Sequence, residues 1–591
     1  MSSTLLTRFA ALKALQADSR LLRPHKYLLV LCALVLLVSP RASFGQNTAQ
    51  ASSGDGEGAA QPTPAEITKE LEAMRQRIEQ LEAELKSMKA QGNAAPAAAQ
   101  GTAAPAGATN ATYASTAPAG PATSPDFKRV PVSGSLQENP KKPAKIEPFS
   151  EADWTWLNGN PRTKDIYWDS KFFTPEIRAD VNFVHDFNHP TDHSMGGSSE
   201  LFRTEEIQLE QLGVGGDFHF DNVRARLMTQ LGMYSATTPR NDPSPGHGQW
   251  DLVTAYRYLT EAYGGYHFNV MHGVNVDGGI FLSYIGLFSY YNFDNWAYQP
   301  SYVSSNTPWF FEGLRVQIFP TAHLKIEPWF INGWQSYASA NHRPGFGGQI
   351  KWTPFPWMNI ISNNYGLGQD DLFIPGRKRI HTDDSIEIKY YDRPDNTLDK
   401  MAFSFTGDLG CEYGGGVSCH GTKNGHPKQS FVGYMFYNRF WFHKDLFGLT
   451  LGGGQINNPG RYLVLIPPIN GAGAISAATS APYFTGNPGD PFKAWDTSFT
   501  FDYMPKQYIT FRWEYDYRHA SVPYWTGRGG ITPPGGNNGS PGFFACSNGA
   551  TSGQTSLAAA ETACGGGISS VWFPDLRRDE SFIDLSILVK F

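Results

Sequence analysis

The sequence lacks a long apolar run. Its longest, Leu28–Val38, has 11 residues, whereas a membrane-spanning helix needs ~20. With a mean hydropathy of −0.37, a polytopic helical membrane protein is excluded. Charge is scarce too. Only 17% of the 591 residues are charged while 14% are aromatic, which excludes a mostly disordered chain. The motifs Gly-x-Ser-x-Gly and His-Glu-x-x-His are missing, so neither a hydrolase nor a metalloprotease is signalled. No catalytic residue, cofactor or metal centre is expected. The basic run Arg377-Lys378-Arg379 reads as a loop or strand-end patch, and no other feature has the footprint of a nucleic-acid binder.

Cysteine is limited to five, and Cys32 lies inside the apolar run. Arg20, Arg23 and Lys26 precede that run, and Ser43 and Gly45 stand at −3 and −1 of a cut before Gln46. That layout is a secretory signal over residues 1–45; a short membrane anchor is the alternative. Export leaves Cys411, Cys419, Cys546 and Cys564, two local pairs in Gly/Asn/Ser-rich stretches. In an oxidising compartment they read as disulfides that staple loops, and neither pair has the tight spacing of a metal site.

After the signal the chain divides by composition. Residues 46–62 are small and polar, and are expected to be disordered. Within 63–90 the residues Ile67, Leu71, Met74, Ile78, Leu81, Leu85 and Met88 are spaced alternately by four and three. This is a heptad seam, with Leu71, Ile78 and Leu85 at a and the others at d. Three heptads are marginal alone, so an oligomerisation helix is expected over a solvated amphipathic one. Residues 91–145 are an Ala/Pro/Gly-rich disordered linker.

Residues 146–591 hold all 15 Trp and alternate with period two. Ile509, Phe511, Trp513, Tyr515 and Tyr517 share one face, and Thr510, Arg512, Glu514, Asp516 and Arg518 the other. Val223, Ala225, Leu227, Leu231 and Met233 oppose Arg224, Arg226 and Gln230. Ile177, Ala179, Val181 and Phe183 alternate with Glu176, Arg178, Asp180 and Asn182. Each pattern is a strand with one apolar and one polar face. Either a soluble sandwich hides the apolar faces, or a barrel turns them to lipid around a wet lumen. Short links such as Asp221-Asn222 alternate with long ones such as 457–495 and 525–579, the arrangement of an outer-membrane barrel. Phe288, Tyr290, Tyr291, Phe293 and Trp296 read as an interfacial girdle. The last strand, Ile583, Leu585, Ile587, Val589 and Phe591, ends on an aromatic. It is similar to the signal read by the barrel assembly machinery. The expected fold is therefore all-β: a transmembrane antiparallel β-barrel of about 16 strands, closed because lipid satisfies no edge, preceded by a short coiled-coil helix and a disordered linker. A ring of ~16 leaves an aqueous channel.

Two stretches resemble a known family, the OmpL-like β-barrel porins of Gram-negative outer membranes. They are Asp180-Val-Asn-Phe-Val-His-Asp-Phe-Asn-His-Pro190, and Gly279-Ile-Phe-Leu-Ser-Tyr-Ile-Gly286 continued by Asn292-Phe-Asp-Asn-Trp-Ala-Tyr298 and Glu312-Gly313, with Asn332-Gly333-Trp334 beyond. Departures are the missing acidic residue after Gly286 and Gln299-Pro300 in place of a basic residue, so the family's solute preference is not carried over. The resemblance implies a porin for small hydrophilic solutes, and the helical stalk before the barrel is similar to that of homo-trimeric substrate-selective porins.

The precursor's net charge is −6. Its first 45 residues carry six Lys/Arg and one Asp, leaving 42 basic against 53 acidic side chains, a net −11 that falls wholly on the barrel segment. Charge on the lumen wall sets selectivity. Arg224, Arg226, Gln230, Arg512, Glu514, Asp516 and Arg518 are the pore-lining candidates. Two other readings stand beside the porin. One is an adhesive or structural barrel plugged by its long Gly-rich connections. The other is a sugar channel using Trp296, Trp309, Trp329 and Trp334, residues that a membrane girdle explains more simply.

Overall fold

The computed structural model describes residues 148–591 apart from internal stretches, the longest being 367–375, 459–475 and 529–543. The expected signal, heptad helix and linker lie outside the described residues. The chain folds as one closed antiparallel barrel of sixteen strands. They are β1 (Phe173–Asp186), β2 (Ile207–Phe220), β3 (Val223–Thr229), β4 (Leu259–Phe268), β5 (Val274–Leu282), β6 (Phe310–Thr321), β7 (Leu324–Ile331) and β8 (Gly345–Phe355). The ring continues with β9 (Met358–Gly366), β10 (Lys378–Asp392), β11 (Leu398–Tyr413), β12 (Ser430–Phe442), β13 (Phe447–Asn458), β14 (Phe492–Lys506), β15 (Ile509–Ala520) and β16 (Asp579–Lys590). Each strand pairs with its sequence neighbours. β16 closes on β1 with Arg178 opposite Lys590 and Asp186 opposite Phe582.

Burial is inverted relative to a soluble protein. On β15, Phe511 is 40% exposed on the outside while Glu514 is fully buried inside. On β16, Leu585 is 47% exposed and its neighbour Asp584 is fully buried. Apolar area facing outward is costly in water and favourable in lipid, and the inward polar groups then need partners or water. Among the described residues no helix is long and apolar enough to cross a membrane; strands do the crossing.

Short and long connections segregate to opposite mouths. Asp221 and Asn222 link β2 to β3 with φ of 50° and 69°, the doubly left-handed turn that matches strand twist. The alternation expected to run from Val223 to Met233 stops at Thr229, after a register shift at Met228/Thr229. Gln230 lies beyond the strand, and Met233 packs inward beside Phe202, Tyr234, Tyr290 and Tyr291 instead of facing lipid. Both disulfides form: Cys411–Cys419, with Cα atoms 5.2 Å apart, at the end of β11, and Cys546–Cys564 inside the β15–β16 connection. The Phe591 ring stacks on Tyr508, and its N–H donates to the Ile177 carbonyl oxygen.

The expected girdle of Phe288, Tyr290, Tyr291, Phe293 and Trp296 is not at the lipid interface. All five lie in the β5–β6 connection and are buried inside the barrel. Trp329 is also interior, covered by Phe281, Tyr284 and Phe311, while Trp309 packs on Tyr290, and Trp334 meets Tyr365 and His381. These rings cover one another, so they form neither a girdle nor an open sugar-stacking track.

Candidate functional site

Residues 283–309, the connection from β5 to β6, turn into the lumen. Two 3-10 turns, Asn292–Asp294 and Ser304–Asn306, bend the loop. A buried loop must find partners for its backbone, and charged and polar side chains of the wall supply them. The two carboxylate oxygens of Glu514 accept from the N–H groups of Tyr298 and Gln299, each at 2.6 Å. Asp496 accepts from Ser301 Oγ at 2.9 Å and Tyr302 N–H at 2.8 Å. Tyr437 OH accepts from Ser301 N–H at 2.6 Å. Arg512 donates to the carbonyl oxygens of Asn292 and Asn295 at 3.2 and 2.7 Å, and Arg439 to that of Trp296 at 3.1 Å. Asp180 accepts from Asn292 and from Tyr298 OH. Arg178 reaches Asp294 at 3.1 Å.

Glycine makes room for this docking. A Cβ at Gly452 of β13 would stand 1.9 Å from the Tyr437 ring, and one at Gly454 would stand 2.3 Å from Ser301 Oγ.

A second segment enters from the short-turn mouth. Phe149 N–H donates to Ala322 O in the β6–β7 turn, and Arg162 donates to Thr510 Oγ1 at 2.6 Å near the β14–β15 turn. Between these ends the strap dips inside. Asn158 N–H donates to Glu387 Oε1, and Asn158 Oδ1 accepts from Trp296 N–H, both at 2.8 Å. Trp156 and Leu157 join a cluster with Leu287, Phe288, Trp296 and Trp441. Beside loop and strap lies a cavity of about 220 Å³, lined by Asn158, Tyr284, Ser289, Gln349, Lys351 and Ile361 among others.

The expected pore-lining residues can now be placed. Arg512, Glu514, Asp516 and Arg518 point inward from β15 and are buried. Arg512 pairs with Asp502 at 2.7 Å, and Arg518 with Glu580. Arg226 meets Glu176, Asp217 and Glu261 at 2.8–3.1 Å, and Arg224 meets Asp277 at 3.3 Å. Gln230 accepts from Tyr290 OH at 2.6 Å. They are anchors of loop and wall more than water-facing charges. Among the described residues the connection that fills the lumen is 283–309, where the sequence pointed to the Gly-rich 457–495 and 525–579 segments, parts of which lie outside the described residues. Trp525, the first residue of the 525–579 segment, and Tyr524 just before it pack against Tyr302 of the inward loop. Arg377 and Arg379 face Glu412 at the β10 strand end.

A family model described as "Putative beta-barrel porin-2, OmpL-like" matches residues 178–560, well over half of the chain. The chain belongs to that porin family. It is a porin of the outer membrane. Among solved structures the porin is similar to the outer-membrane channel DcaP of Acinetobacter baumannii, at 11% identity and TM-score 0.37, over 72% of this chain and 99% of that one. OprB of Pseudomonas putida gives 11% and 0.38 over 72% and 100%. An anion-selective porin from Comamonas acidovorans gives 8% and 0.38 over 71% and 99%. No curated protein matches the chain.

Proposed function

We propose that this porin passes small hydrophilic solutes around its inward loop and prefers cations. The observation that carries the reading is the polarity of the interior. Among the described residues, twenty Asp and Glu against seven Lys and Arg are buried. With partly buried cations such as Arg224, Arg226 and Arg315 added, the carboxylates still outnumber them, an excess whose field favours positive solutes. Inward loop and strap narrow the path to the region of the Lys351 cavity, so steric exclusion sets the size limit. Single-channel recording from the folded protein in a planar bilayer, under a salt gradient, tests this. Steps of stable size with a cation-signed reversal potential are expected; an anion-signed potential overturns the preference.

The filling of the lumen by loop and strap favours a second reading, a plugged barrel that serves as a surface adhesin. A folded, heat-modifiable barrel that never conducts would select it. The heptad seam over Ile67–Met88 supports a homo-trimer held by a stalk, and deletion of residues 63–90 should lower the trimer fraction in cross-linking. A trimer unchanged by the deletion would end the stalk assignment.

A further inference from the structure

We propose that His185, His189 and Glu205 bind a zinc-class transition-metal dication that clips together the two ends of the β1–β2 connection. His185 lies at the outer end of β1, His189 four residues on, and Glu205 just before β2. Glu205 Oε1 stands 2.6 Å from His185 Nδ1 and 3.9 Å from His189 Nδ1, and the three donor atoms all lie within 4.8 Å of one another. Around zinc at ~2.0–2.2 Å, tetrahedral ligand atoms sit ~3.3–3.5 Å apart. The His185–Glu205 contact must open and the His189–Glu205 contact close by less than about 1 Å, and the two imidazoles, whose donor atoms lie within 4.8 Å of each other, must close by at most ~1.5 Å, movements within reach of side-chain rotation.

A His185–Glu205 ion pair accounts for the shorter contact, though Glu205 Oε1 has no hydrogen-bond partner among the described residues. It does not explain why His189 aims its Nδ1 at the same oxygen. Nor does it explain the backbone. His189 and Glu205 have φ of 48° and 57°, a left-handed conformation uncommon for such residues. Each is pinned there: His189 N–H donates to Asp186 O at 2.9 Å, and Glu205 N–H to Val184 O at 2.7 Å. Strain of this kind gathers at ligand clamps, and here it turns two ligands toward one point.

Two imidazoles and one carboxylate suit zinc, nickel or copper better than calcium or magnesium, which favour all-oxygen shells. The three side chains remain 31–42% exposed, so water can complete the shell. The consequence is mechanical. Between the ligands, the connection sends Met195 and Leu201 against Tyr298 of the inward loop, and Ser198 bonds Gln299. A metal at the base would pin the segment that covers the constriction. This assignment stands whether or not the barrel conducts.

The test is zinc titration of the folded, tag-free full-length protein in detergent against a chromophoric chelator. One tight site per chain is expected, indifferent to excess calcium. His189→Asn, chosen because Asn tolerates the left-handed backbone, and Glu205→Gln should each weaken it by at least about tenfold. His323→Ala, in the β6–β7 turn, should leave it unchanged. Heat-modifiable mobility certifies folding, and either folded variant is sufficient to decide. Absence of a tight site in the unaltered protein, or equal affinity in a folded variant, overturns the proposal.

Discussion

The lumen wall has two unlike halves. From β12 through β16 to β1 it carries Tyr437, Arg439, Asp496, Arg512, Glu514, Asp180 and Arg178, each bonded to the inward loop. On β8 and β9 the links are fewer: Gln349 donates to Tyr284 O, and Tyr284 OH donates to Asn364 O. The cavity lies on this second side, where Lys351 and Gln349 line it. The first half holds the loop and the second leaves room. On the function proposed above, a charge then means different things on the two sides, structure on one and selectivity on the other.

The largest effect should come from breaking the holding half. Arg512 bonds Asp502, Asn292 and Asn295 at once. Arg512→Ala strips a buried carboxylate of one of its two cations, since Arg439 alone remains on Asp502, and leaves two loop carbonyls unpaired. Removing one partner of a buried pair costs about 3–5 kcal/mol. The expected outcome is a lower temperature for the heat-modifiable mobility shift, with larger and noisier conductance steps. Arg512→Glu should do the same and more, so its change in ion selectivity would report a displaced loop as well as a changed sign. An unaltered transition and unaltered steps would show that the charged half does not hold the loop.

Gly454→Val is a milder break of the same half. Its Cβ would meet Ser301 Oγ at 2.3 Å and the Tyr434 carbonyl oxygen of β12 at 2.6 Å, so the loop must yield and the β12–β13 pair must shift with it. Overpacking costs about 1–3 kcal/mol. Conductance should rise while ion preference stays, because no charge changes. A drop in conductance with normal stability would instead place the open path on the β13 side.

The difference between the halves was only partly written in the sequence. The barrel was legible because lipid demands strict alternation, as on β15, where Phe511 and Trp513 interleave with Arg512 and Glu514. The inward loop was misread because Phe288, Tyr290, Tyr291, Phe293 and Trp296 are the residue types that also make a girdle. A usable signal was present: residues 283–309 contain a single charged side chain, Asp294, too few for a connection solvated at the outer surface. The partners of Arg226, Arg512 and Arg518 were only partly legible: Glu261 and Glu580 come from strands 35 and 62 residues away, whereas Asp217 and Asp502 stand opposite on the adjoining hairpin strand, 9 and 10 residues away. Alternation gives the face a side chain takes, and only the closed ring gives the partners beyond the hairpin.

The smallest effect on stability, and the sharpest on selectivity, should come from the open half. Lys351 lies 4.0 Å from the centroid of the Trp154 ring in the strap and lines the cavity. Lys351→Gln keeps most of the side-chain volume and removes one positive charge from the path. The lost cation–π contact costs about 0.5–2 kcal/mol, so the mobility transition should move little. In a wall already rich in carboxylates, losing this cation should shift the reversal potential further toward cations, with step size nearly unchanged. The matching control is Lys590→Gln on β16, across the barrel, whose neighbours Arg178 and Glu176 belong to the holding half. If Lys590→Gln shifts the potential as strongly as Lys351→Gln, the path is not confined to the β8–β9 side, and the division of the wall into an anchoring half and a conducting half fails.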